Sequence, residues 1–196
     1  MIVSIPPRYP RDTLGQMRTA YIGLGANLPS WAGPPPATLA AAALRLEKHG
    51  RVVARSSLYR TDPVGFRDQP QFVNAVVALQ TDLDPHALLR NLFEIEKQFG
   101  RDRTASIPNG PRTLDLDILL MDDIEISEPG LEIPHPRLAE RGFVLIPLSE
   151  IASQLRIPGH GKTVADLVQA LHNRHEGEAD AVVRMESDIW RPLAQP

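Results

Sequence analysis

The sequence predicts an α+β fold with a ferredoxin-like βαββαβ core: an antiparallel sheet, helices packed on it, and a C-terminal helical extension. Three observations carry this. Strand-like and helix-forming runs follow one another in the order β-α-β-β-α-β between residues 19 and 121. Both helical runs carry terminal signals. The last strand-like run, "GPRTLDLDILL" (110–120), alternates leucine with charge at a period of two.

Residues 1–18 read as a flexible extension, with Pro6, Pro7 and Pro10 among polar residues. "TAYIGLGANL" (19–28) gives a first strand ending in a Gly/Asn turn, followed by the proline-rich connector "PSWAGPPP". "ATLAAAALRLEKHG" (37–50) is rich in strong helix formers and stops at a glycine. "RVVARSSLYRT" (51–61) and "QFVNAVVALQT" (71–81) read as strands around the loop "DPVGFRDQP". Asp84 and Pro85 supply the N-cap and first position of a helix over 86–100, with Leu88, Leu89, Leu92, Phe93, Ile95 and Phe99 as its apolar face. The loop "RDRTASIPNGPR" leads into a strand at 113–121. A turn and helix within 131–152 and a helix over 162–171 complete a domain at 19–172, leaving a polar tail at 173–196.

Composition narrows the chemistry. A hydrophobic content of 42% in 196 residues reads as a globular domain. The net charge of −3 offers no general nucleic-acid footprint. With no cysteine, thiolate metal sites, disulfides and cysteine nucleophiles are excluded. No apolar run reaches the roughly 20 residues that span a membrane, and the proline-broken N-terminus is not a signal peptide. A cytoplasmic location is the expectation.

Within the last strand, Asp115 and Asp117 project to one face, roughly 6–7 Å apart at Cα, while Leu114, Leu116, Ile118 and Leu120 take the other. Two readings stand open: a solvated face with ordinary acids, or a divalent-metal site. Oxygen ligands without cysteine suit magnesium better than zinc. Arg101, Arg103, Arg112 and Arg141 admit either surface ion pairs or a phosphate clamp. Magnesium with arginines around a glycine-containing loop is equipment for phosphoryl transfer. Two phosphate-loop look-alikes fail. "GHGKT" (159–163) has Arg156 where the motif needs glycine, and "GLGAN" (23–27) has Leu28 where a third glycine would stand.

"YIGLGANL" (21–28), "SSLYRTDPVG…DQPQFVNAVVAL" (56–79), "IEKQFGRDR" (95–103), "GPRTLDLDILL" and "IPHPRLAERGFVLIPLSEIA" (133–152) stand in one order. Together they resemble the 6-hydroxymethyl-7,8-dihydropterin pyrophosphokinase family over residues 20–155. The resemblance implies an ATP-dependent diphosphotransferase of folate biosynthesis. It moves pyrophosphate from ATP to the pterin hydroxymethyl group, with two Mg²⁺ per site and release of AMP. Asp115 and Asp117 match the metal ligands, and Asp117 is also a candidate base. Arg101 and Arg112 match phosphate-binding, catalytic arginines, and Arg103 a loop arginine. Glu96, Ile118, Leu131, His135 and Arg141 complete the implied ATP set. Phe72 and Phe143 match pterin-stacking positions and Asn74 the reader of the ring edge, with Thr61, Asp62 and Val64 in the flanking loop.

The loops 61–70 and 101–111 are expected to close over the site. Departures from the family pattern stand at Asp62, Phe72, Pro108–Asn109 and Pro136, and altered loop closure is their expected effect. The implied partners are ATP and the pterin, without nucleic acid or membrane. A monomer is expected, with a dimer as the alternative. Rival readings are a ferredoxin-like RNA or effector module, disfavoured by few aromatics and acids on the sheet, and a pyrophosphokinase that binds without turnover.

Overall fold

The computed structural model describes residues 16–104, 107–174 and 182–193. The expected N-terminal extension therefore lies outside the described residues up to Gly15. The element order is β1 (Arg18–Ala26), α1 (Pro35–Leu46), β2 (Arg51–Arg55), β3 (Leu58–Thr61), β4 (Phe72–Thr81), α2 (Pro85–Gln98) and β5 (Asp115–Met121). A hairpin of β6 (Ile126–Glu128) and β7 (Leu131–Ile133), the helices α3 (Gly142–Ala152) and α4 (Val164–Arg174), and β8 (Val183–Met185) follow. The main sheet runs β5-β1-β4-β3-β8, with β2 also on β4, and every pair is antiparallel. The expected βαββαβ core is present.

Local chemistry explains the elements. α2 starts where Asp84 accepts a hydrogen bond from the Ala87 N–H with Pro85 behind it, satisfying an orphan donor of the first turn. α4 opens on a reciprocal box in which Thr163 N–H donates to Asp166 and Asp166 N–H donates to the Thr163 hydroxyl. That is the role of the "GHGKT" segment. The run 51–61 divides into two strands at Ser56–Ser57. There the Ser56 hydroxyl accepts from the Val76 N–H, and the Ser56 carbonyl accepts from the Trp190 indole at 2.7 Å.

The sheet carries a core on each face. On one, Leu39 and Leu46 of α1, Leu88, Leu92 and Ile95 of α2, and Leu116 and Ile118 of β5 pack together. Phe93 departs from the expected apolar face of α2: it is exposed, and the Arg103 guanidinium lies over its ring at 4.3 Å. On the other face, α3 and α4 cover Tyr21, Val76, Ala78, Leu119 and Leu120. The expected alternation of β5 is corrected here. A register shift sets Tyr21 opposite Leu120 but Ile22 opposite Ile118. This bulge places Leu119 and Leu120 in the same core and leaves Leu120 on the face of Asp115 and Asp117.

The tail adds to the sheet. β8 pairs with β3, Arg55 and Leu193 exchange backbone hydrogen bonds, and Trp190 is 2% exposed beneath them. The other tryptophan, Trp31, is 64% exposed and stacks on Phe99. Because α3 and α4 cover only part of their face, one end of it remains open.

Candidate active site

The open end of that face is built from three strands. Gly23 stands opposite Asp117 and Gly25 opposite Asp115, while on its other side Gly25 faces Asn74 of β4. A Cβ on Gly25 would lie 3.1 Å from Asn74 Oδ1, and one on Gly23 3.3 Å from a Leu119 methyl. The glycines therefore keep the floor between the acids and Asn74 bare. The function of "GLGAN" is this absence of side chains.

The two acids have different surroundings. Asp115 is bound by Arg112 Nε at 2.8 Å and Arg101 Nη1 at 3.1 Å, with Arg103 Nη2 at 3.9 Å. Asp117 has no ion pair within 4 Å among the described residues. Burial, and then the negative charges of Asp115 and Glu96, push its carboxyl up to about 6. Burial holds the Arg101 guanidinium below its usual range despite Asp115 and Glu96, and its buried Nε has no hydrogen-bond partner among the described residues.

Glu96 is engaged by Arg103 and by the edge of β5. It is 1% exposed and accepts from Arg103 Nε and Nη2, both at 2.7 Å, and from the Leu116 N–H at 2.8 Å. It holds Arg103 against the edge of β5. The side chains of Ile118 and Leu131 point into the core. At 4% and 6% exposed, they belong to the core beneath α1 and α2, on the face of β5 away from the aspartates. Ile118 still lies on the edge of β5 between Leu116, whose N–H meets Glu96, and Leu119, whose carbonyl accepts from the His135 N–H.

His135 is placed by that bond, and its Nδ1 accepts from the Arg137 N–H at 3.1 Å. The ring proton therefore sits on Nε2. Burial first, then the Arg141 charge, lowers the imidazole to about 4. Arg141 is the N-cap residue of α3, and Arg141, Phe143 and Val144 of that helix's first turn wall a cleft holding Asp115 and Asp117. A helix N-terminus and an arginine there both favour an anion.

A second cavity adjoins it. All six residues expected around the pterin line it: Thr61, Asp62, Val64, Phe72, Asn74 and Phe143. Asn74 Nδ2 donates to the Thr61 hydroxyl at 2.8 Å, which fixes the amide. The Arg112 guanidinium lies over the Phe72 ring at 4.6 Å and that of Arg141 over Phe143 at 5.4 Å. Asn74, Arg112, Arg141 and Phe143 wall both cavities.

The metal expectation meets a suitable donor set. No group of three or more His, Cys, Asp or Glu gathers among the described residues. Asp115 and Asp117 therefore supply two carboxylates, which Mg²⁺ accepts alongside waters and phosphate oxygens. A cation would also relieve the charge excess at Asp117.

Sequence reasoning missed the residues that tie the loops. Asn27 Nδ2 donates to Gln69 Oε1 and the Pro70 carbonyl, and its Oδ1 accepts from the Arg112 N–H at 2.8 Å. Gln69 Nε2 donates to the carbonyls of Phe66 and Asn109. The loops expected over the site are thus joined to each other and to the end of β1. Asn109, with φ of 57°, occupies a left-handed turn that asparagine tolerates. Asn109 and Arg137 also line the aromatic cavity. The adjacent Gly/Asn turn was the only signal for Asn27.

The family model for 7,8-dihydro-6-hydroxymethylpterin-pyrophosphokinase (HPPK) matches residues 21–153. A 2-amino-4-hydroxy-6-hydroxymethyldihydropteridine pyrophosphokinase of Methylorubrum extorquens is 45% identical over 73% of this chain and 88% of its own. The protein of the same name from Pseudomonas aeruginosa is 42% identical over 79% of this chain and 92% of its own. The fold is similar to that of wild-type Plasmodium falciparum HPPK-DHPS, with a TM-score of 0.61 and 17% identity, covering 81% of this chain and 45% of that one.

Proposed function

This chain belongs to the 7,8-dihydro-6-hydroxymethylpterin-pyrophosphokinase family, and on that premise we propose how its residues carry the reaction. It is a transferase of folate biosynthesis that moves pyrophosphate from ATP to 6-hydroxymethyl-7,8-dihydropterin and releases AMP. The observation that carries the residue assignment is the wall shared by the two cavities. It lets an acid-lined cleft for the triphosphate open directly onto an aromatic slot for the pterin.

In this proposal Phe72 and Phe143 flank the flat heterocycle while Asn74 and Thr61 meet its polar edge. Asp62 and Val64 close the slot from the loop. The hydroxymethyl group then points toward Asn74 and the shared wall. Its oxygen bonds to the β-phosphorus, the bond from that phosphorus to the α–β bridging oxygen breaks, and AMP departs with the bridging oxygen. Asp117 takes the hydroxyl proton.

Asp115 and Asp117 would hold magnesium, two ions in all, which supplies charge neutralisation at the triphosphate oxygens. Arg101 and Arg112, both on Asp115 without ligand, would bind the phosphates once a cation took their place at that carboxylate. No charge is stranded by the exchange. Arg103, set by Glu96, and Arg141, at the head of α3, bind the remaining phosphate oxygens. His135 donates its Nε2 proton to the nucleotide, and the backbone edge at Ile118 faces the adenine. A monomer acting in the cytoplasm completes the proposal. No described helix is long and apolar enough to cross a membrane.

Pterin-dependent AMP release from Mg-ATP tests the whole assignment. Asp117→Ala should lower it by about 100–1,000-fold or more. Release that survives this substitution would remove Asp117 from the site, and AMP formed without pterin would contradict the transfer.

A further inference from the structure

The aromatic cavity carries more positive charge than a pterin requires. Arg112, Arg137 and Arg141 line it against the single carboxylate of Asp62. Arg112 and Arg141 also line the cleft of Asp115 and Asp117, so the expected triphosphate accounts for them. Arg137 lines the aromatic cavity alone.

Its charge is weakly claimed. The ion pair it makes, to Glu140 Oε2 at 3.6 Å, joins two half-exposed side chains three residues apart, an arrangement worth little in water. Arg103 and Arg112, by comparison, hold carboxylates at 2.7 and 2.8 Å. The root of Arg137 is nonetheless fixed. Its N–H donates to His135 Nδ1, and the next residue, Leu138, is fully buried. Its charge also reaches inward: after burial, Arg137 is the largest influence holding the Arg141 guanidinium below its usual range.

Neither the pterin ring nor its hydroxymethyl group carries a charge for such an arginine to meet. The ligand on that side becomes anionic only when the diphosphate is joined to it. Resting on the transfer proposed above, we propose that Arg137 is a further substrate-contacting residue, which binds a non-bridging oxygen of the diphosphate once it is attached to the pterin. It makes no covalent bond. It favours the product side of the transfer and sets how long the diphosphorylated pterin stays bound.

The test compares binding of 6-hydroxymethyl-7,8-dihydropterin, its diphosphate, and a non-hydrolysable ATP analogue with Mg²⁺ to wild-type protein and to Arg137→Ala. The diphosphate should bind about 10–100-fold more weakly to the variant, while the unmodified pterin and the ATP analogue bind as to wild type. Arg137→Lys should restore part of the loss, because charge returns without the forked geometry. Equal weakening of pterin and product would make Arg137 a wall of the slot and overturn the proposal. Loss confined to the ATP analogue, or no loss, would overturn it too. Arg137→Gln gives the same comparison if the alanine variant fails to fold. Wild-type protein without pterin-dependent AMP release would defeat the functional assignment itself. An active wild type whose Arg137→Ala variant keeps full product affinity would defeat only this inference.

Discussion

Asp115 and Asp117 stand two residues apart on one strand, and the ligand-free protein treats them in opposite ways. Asp115 neutralises Arg101 and Arg112, whereas Asp117 has like charges as its main neighbours. Asp115→Asn should therefore cost about 1–3 kcal/mol by leaving charged donors without their acceptor, while Asp117→Asn leaves stability equal or higher. Melting curves in chelator would separate the two, although both substitutions abolish turnover. His135 gives a pH signature. Its folded pKa of about 4 lies below the ordinary 6.5, so the unfolded chain binds the proton first. The stability tied to its neutral form is complete above pH 6.5 and is lost as pH falls toward 4. Asp117 works in the other direction, because its raised pKa makes the folded state the tighter proton binder. The difference between wild type and His135→Gln isolates the histidine: it should shrink between pH 6.5 and 4, and a constant difference would show the imidazole is not held neutral. The acids and the arginines stood out by type and spacing, whereas the six residues of the aromatic cavity were named only through the family resemblance, because phenylalanines such as Phe72 and Phe143 otherwise read as core. Glu96 was visible as a residue but not as the support of Arg103, because nothing in a helical pattern tells a solvated acid from one buried beneath a loop.

Among elements, β1 and β5 shape the site as a pair. Two glycines face two aspartates across a ladder, and the bulge puts both Leu119 and Leu120 into the core under α3. Gly25→Val would place a branched side chain against Asn74, whose Oδ1 would already lie 3.1 Å from a Cβ there. Turnover should fall about 100-fold or more as positioning is lost, while far-UV circular dichroism stays that of wild type. A fully active Gly25→Val protein would show that no ligand passes between Asp115 and Asn74. Periodicity alone made the glycines part of a turn and put Leu120 with the wrong core. A bulge moves one residue without any compositional mark, and a missing side chain has no periodicity to read. The β6–β7 hairpin escaped notice for a similar reason: its three-residue strands alternate with acids and are too short to show a pattern. The helix over 37–50 and the capped helix after Asp84 were legible to within a few residues, because their signals are local.

For the whole molecule, the last described segment closes the sheet. β8 covers the edge of β3, which ends at Thr61 and pairs with Asn74 of the candidate site, and Trp190 fills the space behind Ser56. Trp190→Ala should cost about 3–5 kcal/mol through the lost burial and cavity, and it leaves the Ser56 carbonyl without the indole donor. Urea unfolding would measure it, and a loss under 1 kcal/mol would show that the strap is not seated. The tail read as polar because its contacts join positions 134 residues apart, a relation no local pattern carries. The two tryptophans also have an optical consequence. Trp31 sits in solvent at the end of α2 and Trp190 is sealed under the strap, so the chain holds one red-shifted and one blue-shifted emitter. A Trp31→Phe protein would keep only the sealed emitter, and the wavelength of its fluorescence would then report, in real time, whether the C-terminal strap is on or off the sheet.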